Sequence, residues 1–164
     1  MTQIKSGFKS ASSAVDYLAL AIATCGVGYL PLMPGTFGSL VGVGIFLLLS
    51  RTAVGLVVAI VAVTFAGIWA GSRTEALAGR KDPGKIVVDE VAGQLIAMLP
   101  LVFFRQWSMA AVIVSFVLFR FFDIVKPYPA NKLQELEGGL GVMCDDLVAG
   151  VYAAVLVTIF MRFF

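Results

Sequence analysis

Histidine is missing from all 164 residues, and its absence removes several chemistries at once. Without imidazole there is no phosphohistidine intermediate, no histidine-based triad and no histidine-rich metal site. Cysteine hardly helps, because only Cys25 and Cys144 occur. A phosphatase-type cysteine nucleophile needs an arginine six positions on, where this chain has Pro31 and Gly150. Nothing in the spacing of the two cysteines recommends a disulfide, and buried thiols are the simpler reading. Charge is scarce too, at 13% of residues against about 25% in soluble domains. The net charge of +2 lies in short clusters rather than along a basic stripe, which argues against a nucleic-acid partner. Carboxylates, Lys, Arg, hydroxyls and backbone remain for catalysis or ion binding, a donor set that suits Mg²⁺.

Apolar residues are abundant, at 60% with a mean hydropathy of +0.98, and they mark an integral membrane protein. No charge block or low-complexity tract divides residues 1–164, so a single domain is expected. The apolar stretch Leu40–Gly71, broken only at Ser50–Thr52, is too long for one crossing of about 20 residues and predicts a helical hairpin turning at Arg51. Val91–Phe104 and Met109–Phe122 predict a second hairpin across Arg105–Ser108, and Leu147–Phe160 a fifth crossing. Tyr17–Leu30, punctuated by Gly26 and Gly28, reads as an interfacial or re-entrant segment. The expected fold is therefore all-α, a polytopic helical membrane protein with about five membrane-crossing helices. Several of these runs are short, which implies tilting or extension through their polar flanks. Nine of the twelve Lys and Arg residues fall on the side holding the N-terminal arm and residues 31–39, 72–90 and 120–146. By the positive-inside rule that side faces the cytoplasm. Residues 1–13 contain no recognisable cleavable signal pattern.

Against this background five of the ten acidic residues stand out: Asp89 and Glu90, Asp123, and Asp145 and Asp146, each beside an apolar run. A carboxylate at the edge of hydrocarbon costs up to a few kcal/mol unless a partner or a metal compensates it. Each acidic pair precedes a helix expected to begin at Val91 or Leu147, and capping of free amides is the plain alternative to a metal site. Capping explains one acid of each pair and not both. Arg120 and Asp123, spaced i,i+3 before Lys126 and the helix-stopping Pro127, form either a local ion pair or part of a phosphate site. Lys85, four residues before Asp89, could serve the same phosphate. The stretch Pro34–Ser39 reads as a tight turn whose amides, with Thr36 and Ser39, could hold an anion; a structural turn is the simpler alternative. It is no Walker loop, since no Lys follows its second Gly. Intramembrane carboxylates also mark ion pathways, so a divalent-cation transporter or channel is the competing reading. Arg and Lys among the acids favour phosphate instead.

Four segments carry a resemblance: Met33–Ser39 (MPGTFGS), Val88–Gln94 (VDEVAGQ), Phe119–Pro129 (FRFFDIVKPYP) and Gly138–Gly150 (GGLGVMCDDLVAG). In order and spacing the chain resembles the bacterial phosphatidylglycerophosphatase A family from about Thr24 to Tyr152. The resemblance implies one membrane-embedded phosphatase domain in the bacterial inner membrane. It would use Mg²⁺ to convert phosphatidylglycerophosphate into phosphatidylglycerol and phosphate. From the chemistry of the side chains, Asp89, Glu90, Asp123, Asp145 and Asp146 are expected to be catalytic and metal-binding, and Thr36, Lys85, Arg120 and Lys126 to bind the phosphate. The lipid and the bilayer are the expected partners, with no obligate protein partner.

Overall fold

The structure is a computed structural model that describes residues 11–104 and 108–163. Within them lie seven α-helices and one 3-10 turn, Val27–Tyr29, and no strand. α1 (Ala14–Thr24) starts on a capping box: the Ser13 hydroxyl accepts the Asp16 amide at 3.2 Å, and the Asp16 carboxylate accepts the Ser13 amide at 3.1 Å. Cys25, at φ 47°, ends it. The segment expected to be interfacial or re-entrant is thus a capped helix lying along α3.

α2 (Pro34–Leu49) begins earlier than the sequence suggests. Its turn is made by Met33 at φ 49°, and Pro34 occupies the first helical position, where a missing amide costs nothing. Pro34–Ser39 is therefore helical, which corrects the expected turn. Its glycines serve packing: a Cβ on Gly38 would sit 2.8 Å from Val87 Cβ, and one on Gly42 2.9 Å from Gln94 Cβ. α2 and α3 (Ala53–Ala78) are separated at the expected break, Ser50–Thr52, but each packs chiefly on other helices, α2 on α4 and α3 on α1, α4 and α7; α3 runs on past Gly71 to Gly79, whose amide donates to the Glu75 carbonyl at 2.8 Å. The loop expected over 72–90 shrinks accordingly.

α4 (Val88–Phe103) is the centre of the bundle, with 12 of its 16 residues buried against α2, α3, α5 and α7. α5 (Met109–Val125) is capped by Ser108, whose hydroxyl accepts the Ala111 amide at 3.2 Å, and it stops at Lys126 and Pro127. Most of the turn expected between α4 and α5, Arg105–Trp107, lies outside the described residues. A short α6 (Ala130–Leu133) leads to α7 (Gly139–Phe163). Here the sequence expectation fails again, since α7 starts well before Leu147. Gly139 and Gly141 are helical because they let α7 press onto the Ile68 backbone and the Leu136 carbonyl, where any Cβ would collide.

α3 buries only five of its 26 residues, and Val54, Val58 and Phe65 are 76%, 61% and 70% exposed. Such a surface is stable only against further apolar material. α3 and α7 are long and apolar enough to cross a membrane, while α2, α4 and α5, at 16, 16 and 17 residues, are shorter than the usual span of about 20. Length thus supports two of the five expected crossings.

Candidate active site

Three helices bring the acids together. Asp89 and Glu90 lie in the first turn of α4, Arg120 and Asp123 in the last turns of α5, and Asp145 and Asp146 in the second turn of α7. That last position decides one alternative from the sequence: α7 begins at Gly139, so neither Asp145 nor Asp146 caps a free amide. Neighbouring residues on a helix point about 100° apart, so the Asp145–Asp146 pair reaches in two directions. Asp146 joins Asp89 and Glu90, with one carboxylate oxygen from each within 4.8 Å of the others. Asp145 turns instead to the Lys126 ammonium, with which it makes a very short ion pair. Asp123 Oδ2 forms an ion pair with Arg120 Nη1 at 2.6 Å, and the same nitrogen lies 3.9 Å from Glu90 Oε1.

The helices approach this closely because the seams lack side chains. Gly93 on α4 faces the Phe119 ring and the Asp146 carbonyl, where its Cβ would lie 2.6 Å from that oxygen. Gly150 rests directly on the Gly93 backbone. On the other side Gly35 makes room for the Glu90 carboxylate and the Arg120 guanidinium, which would stand 3.0 Å from a Cβ there.

Asp89, Asp145 and Asp146 are 8%, 4% and 2% exposed. Asp89 Oδ1, Glu90 Oε2, Asp145 Oδ1 and Asp146 Oδ2 are buried with no protein hydrogen-bond partner. Desolvating a carboxylate costs several kcal/mol when nothing compensates it, and three in mutual contact repel as well. Unpaired, hard, anionic oxygens converging on one point fit a divalent cation such as Mg²⁺. The trio Asp89, Glu90 and Asp146 could bind a metal.

The Lys85 ammonium lies 5.1 Å from the centre of the Tyr29 ring, and the Lys85 carbonyl presses on Gly28. Thr36 is half-buried in the first turn of α2, with its amide bonded to the Met33 carbonyl at 2.9 Å. The Ser39 hydroxyl, expected to help hold an anion, accepts from Arg120 at 3.4 Å and donates to the Gly35 carbonyl at 3.0 Å, helping to orient the guanidinium. Two further residues carry no signal strong enough for the sequence alone to single out. Gln94, one turn beyond Glu90, is fully buried with both ends of its amide unpartnered. A lone amide four residues after an acid in an apolar helix was its signal. Asp82 joins Asp145 in lining a cleft of 460 Å³ with Lys81 and Gln134.

The family model described as Phosphatidylglycerophosphatase A matches residues 20–161. The chain belongs to the phosphatidylglycerophosphatase A family. This is a family of phosphatases, and all five acids, Arg120 and Lys126 lie within the matched region. A Haemophilus influenzae protein named "Phosphatidylglycerophosphatase A" is 41% identical over 88% of this chain and 89% of its own. An Escherichia coli protein of the same name is 34% identical over 79% of this chain and 74% of its own. A Bacteroides thetaiotaomicron protein named "Putative phosphatidylinositol-3-phosphatase" is 41% identical over 88% of this chain and 94% of its own. No solved structure is significantly similar to the chain.

Proposed function

We propose that this phosphatidylglycerophosphatase A family member is a Mg²⁺-dependent enzyme that hydrolyses phosphatidylglycerophosphate to phosphatidylglycerol and phosphate at the cytoplasmic face of the bacterial inner membrane. The observation that carries the reading is the convergence of Asp89, Glu90 and Asp146, with unpartnered oxygens, beside Arg120. A cation path would avoid the positive charges of Arg120 and Lys126, whereas a phosphate site needs them. The family and two of the three relatives above carry this substrate in their names.

Asp89, Glu90 and Asp146 would hold the Mg²⁺, with Asp123 and Asp145 completing the acidic shell around it. When bound, Mg²⁺ polarises a phosphoryl oxygen and makes water more acidic. Arg120 would bind the phosphoryl oxygens on one side and Lys126 on the other, stabilising charge as it develops. Water forms the new O–P bond, the bond from phosphorus to the glycerol oxygen breaks, and the departing oxygen takes up a proton. The chain has neither histidine nor an Asp-x-Asp-x-Thr motif, so water is the nucleophile we favour. In this reading α2, α4 and α5 also cross the bilayer, completing the five crossings by tilting in a thinned membrane. The carboxylate end of the bundle then lies at the cytoplasmic interface, where a lipid phosphate sits.

Phosphate release from the purified protein in detergent tests the proposal, with phosphatidylglycerophosphate and phosphatidylinositol 3-phosphate offered in parallel. Release from the first lipid with Mg²⁺, and its loss in EDTA, is expected. The mechanism fails if nothing is released, or if release survives the double change Asp146→Asn and Glu90→Gln.

A further inference from the structure

Gln94 takes no part in the chemistry above, and packing does not account for it. It is fully buried within α4, and neither Nε2 nor Oε1 of its amide meets a protein hydrogen-bond partner. Burying an amide without a partner costs stability, so an apolar side chain of the same size would hold the helices together better.

Geometry joins this amide to Glu90. The two residues are four apart on α4 and lie on one face, and a helical side chain leans over the turn before its own Cα, which for Gln94 is the turn of Glu90. Both fill the same seam against α2, where glycines make the room. A Cβ on Gly38 would lie 3.4 Å from Glu90 Cβ, and one on Gly42 would lie 2.9 Å and 3.1 Å from Gln94 Cβ and Cγ. Gly38 and Gly42 are themselves one turn apart, so α2 and α4 run side by side in the same direction and the seam passes from one side chain to the other. At its upper end Glu90 Oε2 has no partner, and Oε1 stands 3.9 Å from an Arg120 nitrogen that is paired with Asp123 at 2.6 Å. An unused acceptor and an unused donor thus sit one turn apart in one closed seam. Glu90 also has one more rotatable bond than Asp89 or Asp146, and so more freedom to lose when the trio gathers around an ion.

We propose that Gln94 is a positioning residue for the cation site: its amide nitrogen donates to the Glu90 carboxylate and fixes the orientation in which Glu90 joins Asp89 and Asp146 around a divalent cation. The inference rests on the metal reading above and adds a residue that touches neither the cation nor the lipid. The bond forms as Glu90 turns to the cation, and the three side-chain torsions of Gln94 supply the movement. Ligating carboxylates are themselves hydrogen-bonded, and loss of such support costs about 10–100-fold in metal affinity. A purely structural Gln94 would behave differently, since replacing it would move stability and leave metal affinity alone.

Titration calorimetry of Mg²⁺ into the full chain in detergent, without lipid, gives the test. Gln94→Met keeps the length of the side chain and removes the donor. It should raise the Kd for Mg²⁺ by about 10–100-fold, while Tm in EDTA stays the same or rises because an unpartnered amide has left the core. Gln94→Leu, a second apolar replacement, should do the same. Thr74→Val removes another fully buried, unpartnered group, on α3, and should leave the Kd at its wild-type value. A wild-type Kd in both Gln94 variants overturns the proposal, as does an equal rise with Thr74→Val. A lower Tm in EDTA for both Gln94 variants overturns it too, because Gln94 would then be holding the fold together. Wild-type protein that takes up no Mg²⁺ refutes the metal reading itself, and the role of Gln94 falls with it.

Discussion

Replacing Gly150 with alanine probes the contact that sets the distance between the α7 acids and the α4 acids. The new methyl carbon would lie 3.0 Å from Gly93 Cα and 3.1 Å from its carbonyl carbon, with the carbonyl oxygen nearer still. Carbon atoms pack at about 3.5–4.0 Å, so α7 must recede from α4 by roughly 0.5–1 Å. Neither backbone can rotate away as a side chain would. Overpacking of this kind costs about 1–3 kcal/mol, which in a chain of this size lowers Tm by about 2–12 °C. The functional effect should be larger in proportion. Asp146 lies one turn before Gly150, and Glu90 one turn before Gly93, so the shift opens the carboxylate trio itself. A displacement of about 1 Å at a reacting site can cost 10²-fold, and kcat/KM for phosphate release should fall by about that factor. Gly44→Ala is the matched control, because a Cβ at Gly44 meets nothing within 4 Å. It should keep full activity and gain up to about 0.5–1 kcal/mol from helix propensity. If Gly150→Ala turns over at the wild-type rate, the Gly93–Gly150 contact does not set the geometry of the site.

Two further outcomes separate charge from packing. Asp146→Asn should abolish phosphate release and yet raise Tm in EDTA, because it relieves repulsion among three buried carboxylates. Added Mg²⁺ should stabilise the wild type by about 2.7 kcal/mol at one hundred times its Kd and leave this variant nearly unmoved; thermal unfolding with and without Mg²⁺ checks both. Asp16, which accepts from the Ser12 amide at 3.0 Å and from Arg73 Nε at 2.8 Å, has its pKa lowered from 3.8 to about 2, chiefly by the Ser12 amide and then by Arg73. A lowered folded-state pKa adds stability that is complete above the unfolded value and disappears as pH falls through the folded one. Asp16→Asn should therefore lower Tm at neutral pH, and the gap to wild type should close between about pH 4 and 2; a gap that stays constant across that range contradicts the assignment.

The break between α2 and α3 was legible in the sequence because it interrupts an apolar run, and Ser50–Thr52 is where the helix ends. The starts of α2 and α7 were not. In both, glycines that propensity assigns to turns are helical because helix-to-helix contact outweighs the intrinsic cost of glycine, about 1 kcal/mol per residue. Gly38 against Val87 and Gly139 against Ile68 record contacts between distant parts of the chain, which no local window contains. The acids were legible as a group, since charge beside apolar sequence is conspicuous. Their division was not: Asp145 and Asp146 are adjacent in the chain, yet one pairs with Lys126 and the other joins the trio. The Lys85 ammonium lies beside the Tyr29 ring, a neighbour that its sequence distance from Asp89 does not signal.

That division makes the acids more than a cluster of buried charge. Two of the five, Asp123 and Asp145, have cationic partners in Arg120 and Lys126. Asp89, Glu90 and Asp146 hold their oxygens together, and the cation described beside them, Arg120 Nη1 at 3.9 Å from Glu90, is occupied with Asp123. A site evolved only for stability would pair the trio as well, or replace it with apolar groups, which buried ion pairs seldom outperform. The residual repulsion is instead available to favour whatever cation binds there, and through the shared guanidinium it is linked to Asp123. A phosphate drawing on Arg120 would loosen that residue's hold on Asp123 and leave a fourth carboxylate facing the trio. Metal and phosphate should therefore bind cooperatively, each reducing the charge imbalance that the other creates.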